Sequence, residues 1–328
     1  MREMLQIEAP ARLHLGQIDL NGSLGRLYGG IGVALEGPRT VLLAEPCSRL
    51  VVEGLERERV TKIARTFLER TGIEGGARLQ VTEAIPPHVG LGSGTQLSLA
   101  VSLALARLHR LDLTLDDLAR ITGRGHQSGV GIGIFRSGGF VVDGGIPREY
   151  DRPDVEGYVP PIIFQHPFPS SWYFILITPT NTSGYSGSRE KEAFAAMPPI
   201  PPEDVGLVCR LLVMQLLPAL LEENIEAFGQ ALSEIQWTIG KQFAPVQGGL
   251  YSHPAAEGIV RFLLNSGVAG AGQSSWGPTL YGVVAGEEAA REITGALKKY
   301  LEAEDIPASV SCLPARNRGA RVSWTEEG

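Results

Sequence analysis

The stretch "IPPHVGLGSGTQLSLAVSLALARLHR", residues 85–110, places three glycines within five residues directly before an apolar helical pattern. From Thr95 onward, apolar side chains recur at helical spacing and also fill the other face, which predicts a helix buried on most sides. The start of a helix exposes unpaired backbone N–H groups and the positive end of the helix dipole, and glycines there let the backbone close around an anion. The stretch therefore predicts a phosphate-binding loop, with a tight structural turn as the alternative.

The composition is that of a globular protein with a full core. The 328 residues are 43% hydrophobic and 20% charged, which allows two domains or one large α/β domain. The net charge is −7 and the Lys and Arg residues are scattered, so we expect no nucleic-acid partner. The three cysteines lie far apart without metal-binding spacing. The apolar windows 97–108 and 205–221 are interrupted or too short to span a bilayer, so we expect a cytoplasmic protein with no membrane partner.

The first half of the chain is predicted to mix strands and helices. Short β-rich runs fill residues 5–53, a helix is expected from Arg57 to Thr71, and "ARLQVTEAI" alternates like a strand. A further helix should start at an N-cap Thr114 and stop at Gly123. The segment "SGVGIGIFRSGGFVVDGG", residues 128–145, is typical of two short strands.

The second half is predicted to form an α+β sandwich. A proline-rich segment from about Gly144 to Ser171 indicates an excursion or a domain seam. After it, "WYFILITP" predicts a buried strand, three helices follow within 202–267, and the remaining pattern predicts strand, helix and strand. The apolar positions of 205–221 are expected to be core.

Three motifs carry a resemblance to a known superfamily. "APARLHLGQIDLNG" (9–22), "PPHVGLGSGTQLSLAV" (86–101) and "GAGQSSWGPTLYGVV" (270–284) resemble, in that order, the signature motifs of the GHMP superfamily of kinases. The resemblance implies an α+β, two-domain GHMP-kinase-like fold. Residues 1–168 would form an N-terminal domain whose sheet has a left-handed βαβ crossover, and 169–328 a C-terminal ferredoxin-like domain. A nucleotide or phosphate site would lie between them.

The chain departs from the kinases at one functional position. Where they carry a segment like PSGxD, whose Asp activates the substrate hydroxyl, this sequence reads Gln127-Ser128-Gly129-Val130-Gly131. A glycine cannot accept a proton. The stretches 123–145 and 182–194 instead resemble a synthase branch of the superfamily that acts in methanopterin biosynthesis. That branch joins 4-aminobenzoate, or 4-hydroxybenzoate, to 5-phosphoribosyl pyrophosphate with loss of CO2 and pyrophosphate, and implies Mg2+ as cofactor and a homodimer.

The predicted site residues fall into three groups. Phosphate binding is assigned to the loop and the residue after it: Gly90, Leu91, Gly92, Ser93, Gly94, Thr95 and Gln96. The predicted catalytic residues are His126, which would donate a proton or hydrogen bond to the leaving pyrophosphate, Arg12 and Arg136. Substrate binding is assigned to residues near the motifs: His14, Asp19, Arg26, Gln127, Ser128, Ser186, Gly187, Arg189, Gln273, Ser274, Ser275 and Trp276. No metal ligand is assigned.

Each assignment has a structural alternative. His126 would also suit a hydrogen-bonded structural role, Arg136 an exposed hairpin, and Trp276 a place in the core instead of stacking on the acceptor ring. Asp143 is predicted to be a turn residue. At the level of function, an ATP-dependent small-molecule kinase and a catalytically silent binding or regulatory protein both stay open beside the synthase.

Overall fold

The computed structural model describes residues 3–152, 157–180, 182, 184, 192–194 and 196–326. Within these residues, eight strands form one sheet: β1 (Glu3–Asp19), β2 (Arg26–Cys47), β3 (Val51–Gly54), β4 (Gly76–Glu83), β5 (Phe140–Asp143), β6 (Ile146–Pro147), β7 (Ile162–His166) and β12 (Arg321–Glu326). The long β2 pairs with β1, β4, β5 and β6, all antiparallel. Strands β3 and β4 run parallel and are the βαβ unit of the sheet.

Four helices pack against this sheet and against one another: α1 (Arg57–Thr71), α2 (Ser93–Leu108), α3 (Leu115–Ile121) and α4 (Val130–Ser137). Helix α1 has the predicted bounds. Thr114 caps α3 as predicted, because its hydroxyl accepts the N–H of Asp117 at 3.1 Å. Helix α2 is buried along nearly its whole length, as its apolar sequence indicates.

Helix α4 replaces the first of the two strands predicted in 128–145, so that prediction was wrong, whereas the second strand is present as β5. The carboxylate of Asp143, which is fully buried, accepts the backbone N–H of Gly129 at 2.8 Å at the start of this helix. Asp143 is therefore a helix-capping residue and not only a turn residue. The glycines let α4 pack closely against α2: a Cβ added at Gly131 would lie 3.0 Å from Cγ2 of Thr95. This tertiary packing overrides the strand-like local composition.

The second sheet has the ferredoxin-like order. It contains β8 (Trp172–Pro179), β9 (Gly270–Gln273), β10 (Leu280–Ala285) and β11 (Ala308–Pro314), arranged β11-β8-β10-β9 with antiparallel neighbours. Its helices are α5 (Pro202–Leu211), continued by a π-helical segment (Leu212–Leu216) and α6 (Leu217–Leu221), then α7 (Ile225–Gln247), α8 (Ala256–Asn265) and α9 (Glu287–Ala303). Helix α7 contacts both β9 and β1, so it bridges the two sheets. The predicted fold class is confirmed.

The C-terminal strand does not belong to the second sheet. Strand β12 pairs with β1, and the buried Arg316 forms an ion pair with Glu8 at 2.5 Å on that same strand. The predicted C-terminal domain of 169–328 stays a prediction; within this range the chain returns to the first sheet after β11. Pairing between strands about 300 residues apart leaves no local sequence pattern.

The segment 202–221 is more exposed than predicted. Val208, Leu212 and Leu216 are buried, but Val213 is 57% and Met214 71% exposed, so the expectation that all its apolar residues are core was wrong. An 18-residue window of these 20 helical residues has a mean hydropathy of 1.8, so the segment is long and apolar enough to cross a membrane. The expectation from the sequence was that this segment is too short or too interrupted to do so. One such helix is weak support for a membrane span, because core helices have the same composition.

Candidate active site

The glycine loop has the geometry that an anion site requires. Gly90 (φ +84°) and Gly92 (φ +76°) adopt the left-handed conformation, and α2 begins at the next residue, Ser93. The N-cap residue Gly92 has no side chain that could cap this helix. Its first backbone N–H groups therefore remain available to a ligand, and the helix dipole favours a negative charge there.

The three motifs meet at the carbonyl oxygen of Gly90. This oxygen accepts a hydrogen bond from Nη1 of Arg12 at 2.8 Å and another from Oγ of Ser274 at 2.7 Å. The same hydroxyl accepts the backbone N–H of His14 at 2.9 Å. The first and third motifs thus fix the position of the loop, which the sequence order of the motifs alone does not reveal.

The guanidinium groups of two arginines lie close to the first turn of α2. A Cβ added at Gly94 would lie 3.2 Å from Nη1 of Arg124 and 3.6 Å from Nη2 of Arg59. Arg59 comes from α1 and Arg124 follows α3. Both were missed in the sequence. Arg59 has no local signal, whereas Arg124 lies in the segment 123–145 that carries the resemblance.

A narrow cavity lies next to the loop, between β1, α7 and the third motif. It is lined by His14, Gly16, Gln17, Gln236, Ile239, Gly240, Phe243, Gln247, Leu250, Tyr251, Gln273, Ser275 and Trp276. Its enclosed volume is about 20 Å³, room for roughly one water molecule, and the cavity opens to solvent. Trp276 stacks on Phe243 with ring centroids 4.0 Å apart, which gives the cavity an aromatic wall.

Two buried polar atoms belong to residues of this cavity. Within the described part of the chain, Nε2 of His14 and Oε1 of Gln17 have no hydrogen-bond partner. Such atoms are rare in protein interiors, where buried polar groups are nearly always paired. A shift of the β1–β2 register between His14 and Gly16 explains why residues three apart both line the cavity. Gln17 was missed because simple strand alternation places it on the opposite face.

Burial makes His14 a neutral residue. Its side chain is only 3% exposed, and burial, together with the nearby positive charge of Arg12, holds its pKa well below 6.5. A neutral imidazole has one donor and one acceptor nitrogen. At neutral pH, His14 can therefore hydrogen-bond a neutral ligand group and does not supply a positive charge.

Arg136 lies away from this constellation. Its Nη2 donates to Oδ1 of Asp116 at 2.6 Å, and the two side chains are 42% and 37% exposed. The prediction that Arg136 is catalytic is not supported, because α4 directs this side chain toward α3 at the surface. The hydroxyl of Ser128 donates to the carboxylate of the buried Asp143 at 3.0 Å, so this proton is used in a structural hydrogen bond and not for a substrate.

Other predicted residues have internal hydrogen bonds. Gln96 is fully buried and its Nε2 donates to the carbonyl of Gly131 at 2.8 Å, which ties α2 to α4. Oε1 of Gln273 accepts the N–H of Ser252 at 2.8 Å, while its Nε2 donates to the carbonyl of Ser275 at 3.0 Å. Gln273 is therefore part of the cavity wall, whereas Gln96 lies between α2 and α4.

The β1–β2 connection contains Asp19 and Arg26. Oδ1 of Asp19 accepts two backbone N–H groups of its own turn, each at 2.8 Å. The exposed Arg26 donates to the carbonyls of Gly144 and Gly145 at 2.8 and 2.7 Å. These are structural contacts, and the substrate-binding roles of both residues stay predictions.

His126 is half-buried, and its Nε2 lies 3.9 Å from Oδ1 of Asp151, which also accepts the hydroxyl of Tyr28 at 2.8 Å. Its assigned proton donation stays a prediction, as does the role of the adjacent, half-buried Gln127. The predicted substrate-binding residues Ser186, Gly187 and Arg189 lie outside the described residues.

The fold and these motifs define the class of protein. Residues 58–137 match the family model for the GHMP kinases N terminal domain, and residues 216–303 match that for the GHMP kinases C terminal. The solved structure of homoserine kinase from Cytophaga hutchinsonii aligns over 98% of each chain with a TM-score of 0.70 and 20% identity. At this identity, the likeness concerns the fold alone.

Two relatives narrow the class. The beta-ribofuranosylphenol 5'-phosphate synthase of Methanothermobacter thermautotrophicus is 35% identical over 96% of this chain and 98% of the relative. The protein of the same name from Archaeoglobus fulgidus is 36% identical over 97% and 99%. The chain belongs to the beta-ribofuranosylphenol 5'-phosphate synthase family.

Proposed function

We propose that this protein joins a para-substituted benzoate to 5-phosphoribosyl pyrophosphate, forming a β-C-riboside 5′-phosphate and releasing CO2 and pyrophosphate. The observation that carries the proposal is the junction at Gly90, where Ser274 holds the phosphate loop beside a cavity with an aromatic wall. The loop favours an anion, and in this proposal the acceptor ring enters from the open side of the cavity, against its aromatic wall. The family relationship supports the same chemistry, and the resemblance assigns it to methanopterin biosynthesis.

The electron balance of this reaction matches the residues of the site. The ring carbon that bears the carboxylate attacks the anomeric carbon, the bond from that carbon to pyrophosphate breaks, and the ring–carboxylate bond then releases CO2. The electron pair of that bond restores the aromatic ring, so no proton has to be removed. A protein base is not needed where Gly131 replaces the kinase Asp. The protein has to orient the ring carbon toward the anomeric carbon and stabilise the charge on the departing pyrophosphate.

The relatives' name favours one acceptor. Their name describes a ribosylated phenol, which arises from 4-hydroxybenzoate, whereas 4-aminobenzoate would give β-ribofuranosylaminobenzene 5′-phosphate. We therefore put 4-hydroxybenzoate first, where the sequence left the two acceptors open. In this proposal the para hydroxyl lies at the narrow end of the cavity, within hydrogen-bond reach of His14 and Gln17. Both polar atoms would then gain partners.

Mg2+ is part of the proposal as a component of the donor complex. Among the described residues, no group of three His, Cys, Asp or Glu side chains could hold a metal ion. The residues at the loop therefore do not fit a protein-built metal site. We propose that Mg2+ would instead arrive bound to the pyrophosphate of the donor, the usual state of this ion with phosphate substrates.

The test is incubation of the purified protein with Mg2+, 5-phosphoribosyl pyrophosphate and either 4-hydroxybenzoate or 4-aminobenzoate labelled at the carboxylate. We expect labelled CO2 and a ribosylated ring product, with the higher kcat/KM for 4-hydroxybenzoate. ATP with small-molecule alcohols is the parallel reaction for the kinase alternative. Phosphorylation of an alcohol without CO2 release would overturn the proposal, and no turnover in either reaction would favour a binding protein. Light scattering of the same sample tests the proposed homodimer.

A further inference from the structure

Two guanidinium groups from separate elements converge on one point above α2. That point is the position a Cβ would occupy at Gly94, 3.2 Å from Nη1 of Arg124 and 3.6 Å from Nη2 of Arg59. Two positive charges held near one point favour a bound anion there. Gly94 lies in the first turn of α2, where backbone N–H groups have no partner within the helix and the helix dipole is positive.

Each arginine is held from its far side. Nη1 of Arg59 donates to Oε2 of Glu56 at 2.7 Å, just before α1 begins. Nε of Arg124 donates to Oγ of Ser98, a fully buried residue of α2, at 3.0 Å. In both cases a different nitrogen faces Gly94. The protein therefore fixes the orientation of both guanidinium planes before a ligand binds, which reduces the entropy lost on binding.

We propose that Arg59 and Arg124 bind the pyrophosphate group of the donor, and that Gly94 is a glycine because a side chain there would occupy the ligand's place and touch Arg124. This inference rests on the proposed function, since it deepens the binding of 5-phosphoribosyl pyrophosphate.

The pair is assigned to the pyrophosphate end of the donor and not to its 5′-phosphate. The pyrophosphate carries the larger negative charge, and its charge increases as the bond to the anomeric carbon breaks. Two fixed guanidinium groups and a helix N-terminus would stabilise that developing charge without reorganisation. The cavity next to the loop then lies on the side from which the acceptor ring approaches.

The test is calorimetric titration of the full-length protein with inorganic pyrophosphate, with and without Mg2+, and with orthophosphate for comparison. We expect Arg59→Ala and Arg124→Ala each to weaken pyrophosphate binding about 10- to 100-fold, and orthophosphate binding much less. Gly94→Ala should weaken it as well. The matched control is Arg291→Ala, which removes an exposed arginine paired with Glu287 on α9, and its affinity should equal that of the wild type.

Thermal unfolding of each variant shows whether it is folded, and Arg124→Lys, which keeps the charge, provides a second variant. Unchanged pyrophosphate affinity in folded Arg59→Ala and Arg124→Ala proteins would overturn the inference. Its failure is distinguishable from that of the proposed function. Product formation with an unaltered KM for 5-phosphoribosyl pyrophosphate in both variants refutes the arginine pair alone. Arginine-dependent pyrophosphate binding without product formation supports the pair and refutes the synthase.

Discussion

The hydroxyl of Ser274 donates to the carbonyl oxygen of Gly90 at 2.7 Å and joins residues 184 positions apart in the sequence. Through this hydrogen bond the third motif, at the end of β9, holds the turn before α2. Ser274 is fully buried and also accepts the backbone N–H of His14, so one hydroxyl connects all three motifs. The phosphate loop is positioned by distant parts of the chain and not by its own sequence alone.

Ser274→Ala should weaken both stability and donor binding. The free energy of unfolding is expected to fall by about 1–3 kcal/mol, because the buried N–H of His14 loses its acceptor. The KM for 5-phosphoribosyl pyrophosphate should rise, while the KM for the acceptor changes less. Urea denaturation and steady-state kinetics measure these effects. Ser266→Ala is the control, since its hydroxyl bonds only within the end of α8; an equal rise in KM there would contradict the role of Ser274.

Gln17→Leu should act on the acceptor and not on the donor. The side chain lines the cavity and is 8% exposed, and leucine has a similar volume without the polar oxygen. We expect kcat/KM for 4-hydroxybenzoate to fall roughly 10- to 100-fold, the effect of about 1–3 kcal/mol of lost hydrogen bonding. The KM for the donor should stay constant. Gln165→Leu on β7 is the matched control. A loss confined to the donor KM would show that the cavity is not the acceptor site.

His14 should make stability depend on pH. Its pKa in the folded protein is well below 6.5, so below about pH 6.5 the unfolded chain binds a proton that the folded protein does not. Stability from this residue is present above that pH and declines as pH falls, by up to about 1.4 kcal/mol per pH unit. Comparison of wild type with His14→Gln in urea at pH 7, 6 and 5 should show the wild-type advantage shrinking. A constant difference would mean that His14 is protonated normally.

Gly131→Asp should not create a kinase. A side chain there starts 3.0 Å from Cγ2 of Thr95, so the added volume is expected to cost about 1–3 kcal/mol of stability, and burial of a carboxylate costs more. Gly131→Ala separates the effect of volume from that of charge. Thermal unfolding and an assay with ATP and alcohols measure both outcomes. A stable variant that phosphorylates an alcohol would revive the kinase alternative.

Arg136→Ala should change stability and activity very little. Its ion pair with Asp116 is exposed, and such pairs contribute about 0–1 kcal/mol. We expect kcat/KM for both substrates to stay within about twofold of wild type, because the side chain does not reach the loop. A tenfold loss in the folded variant would restore the catalytic role that the sequence suggested.

Much of the fold was predictable because its signals are local. The bounds of α1, the Thr114 cap and the burial of α2 all follow from periodicity and capping residues within one segment. The prediction failed at α4, where glycine and β-branched residues suggest a strand but a buried carboxylate from β5 caps a helix. It also missed β12, whose partner β1 lies at the other end of the chain.

The sequence by itself determined the glycine loop, the helix it precedes and the order of the motifs, because backbone conformation and amphipathic spacing are encoded within a few residues. Only the tertiary structure decided which cations face that loop. Arg59 and Arg124 lie near the first turn of α2, whereas Arg136 lies at the surface. Gln17 lines the same cavity as His14 because the register of β1 shifts between His14 and Gly16. The physical reason is that a side chain's environment depends on where whole helices and strands pack, which long-range contacts set.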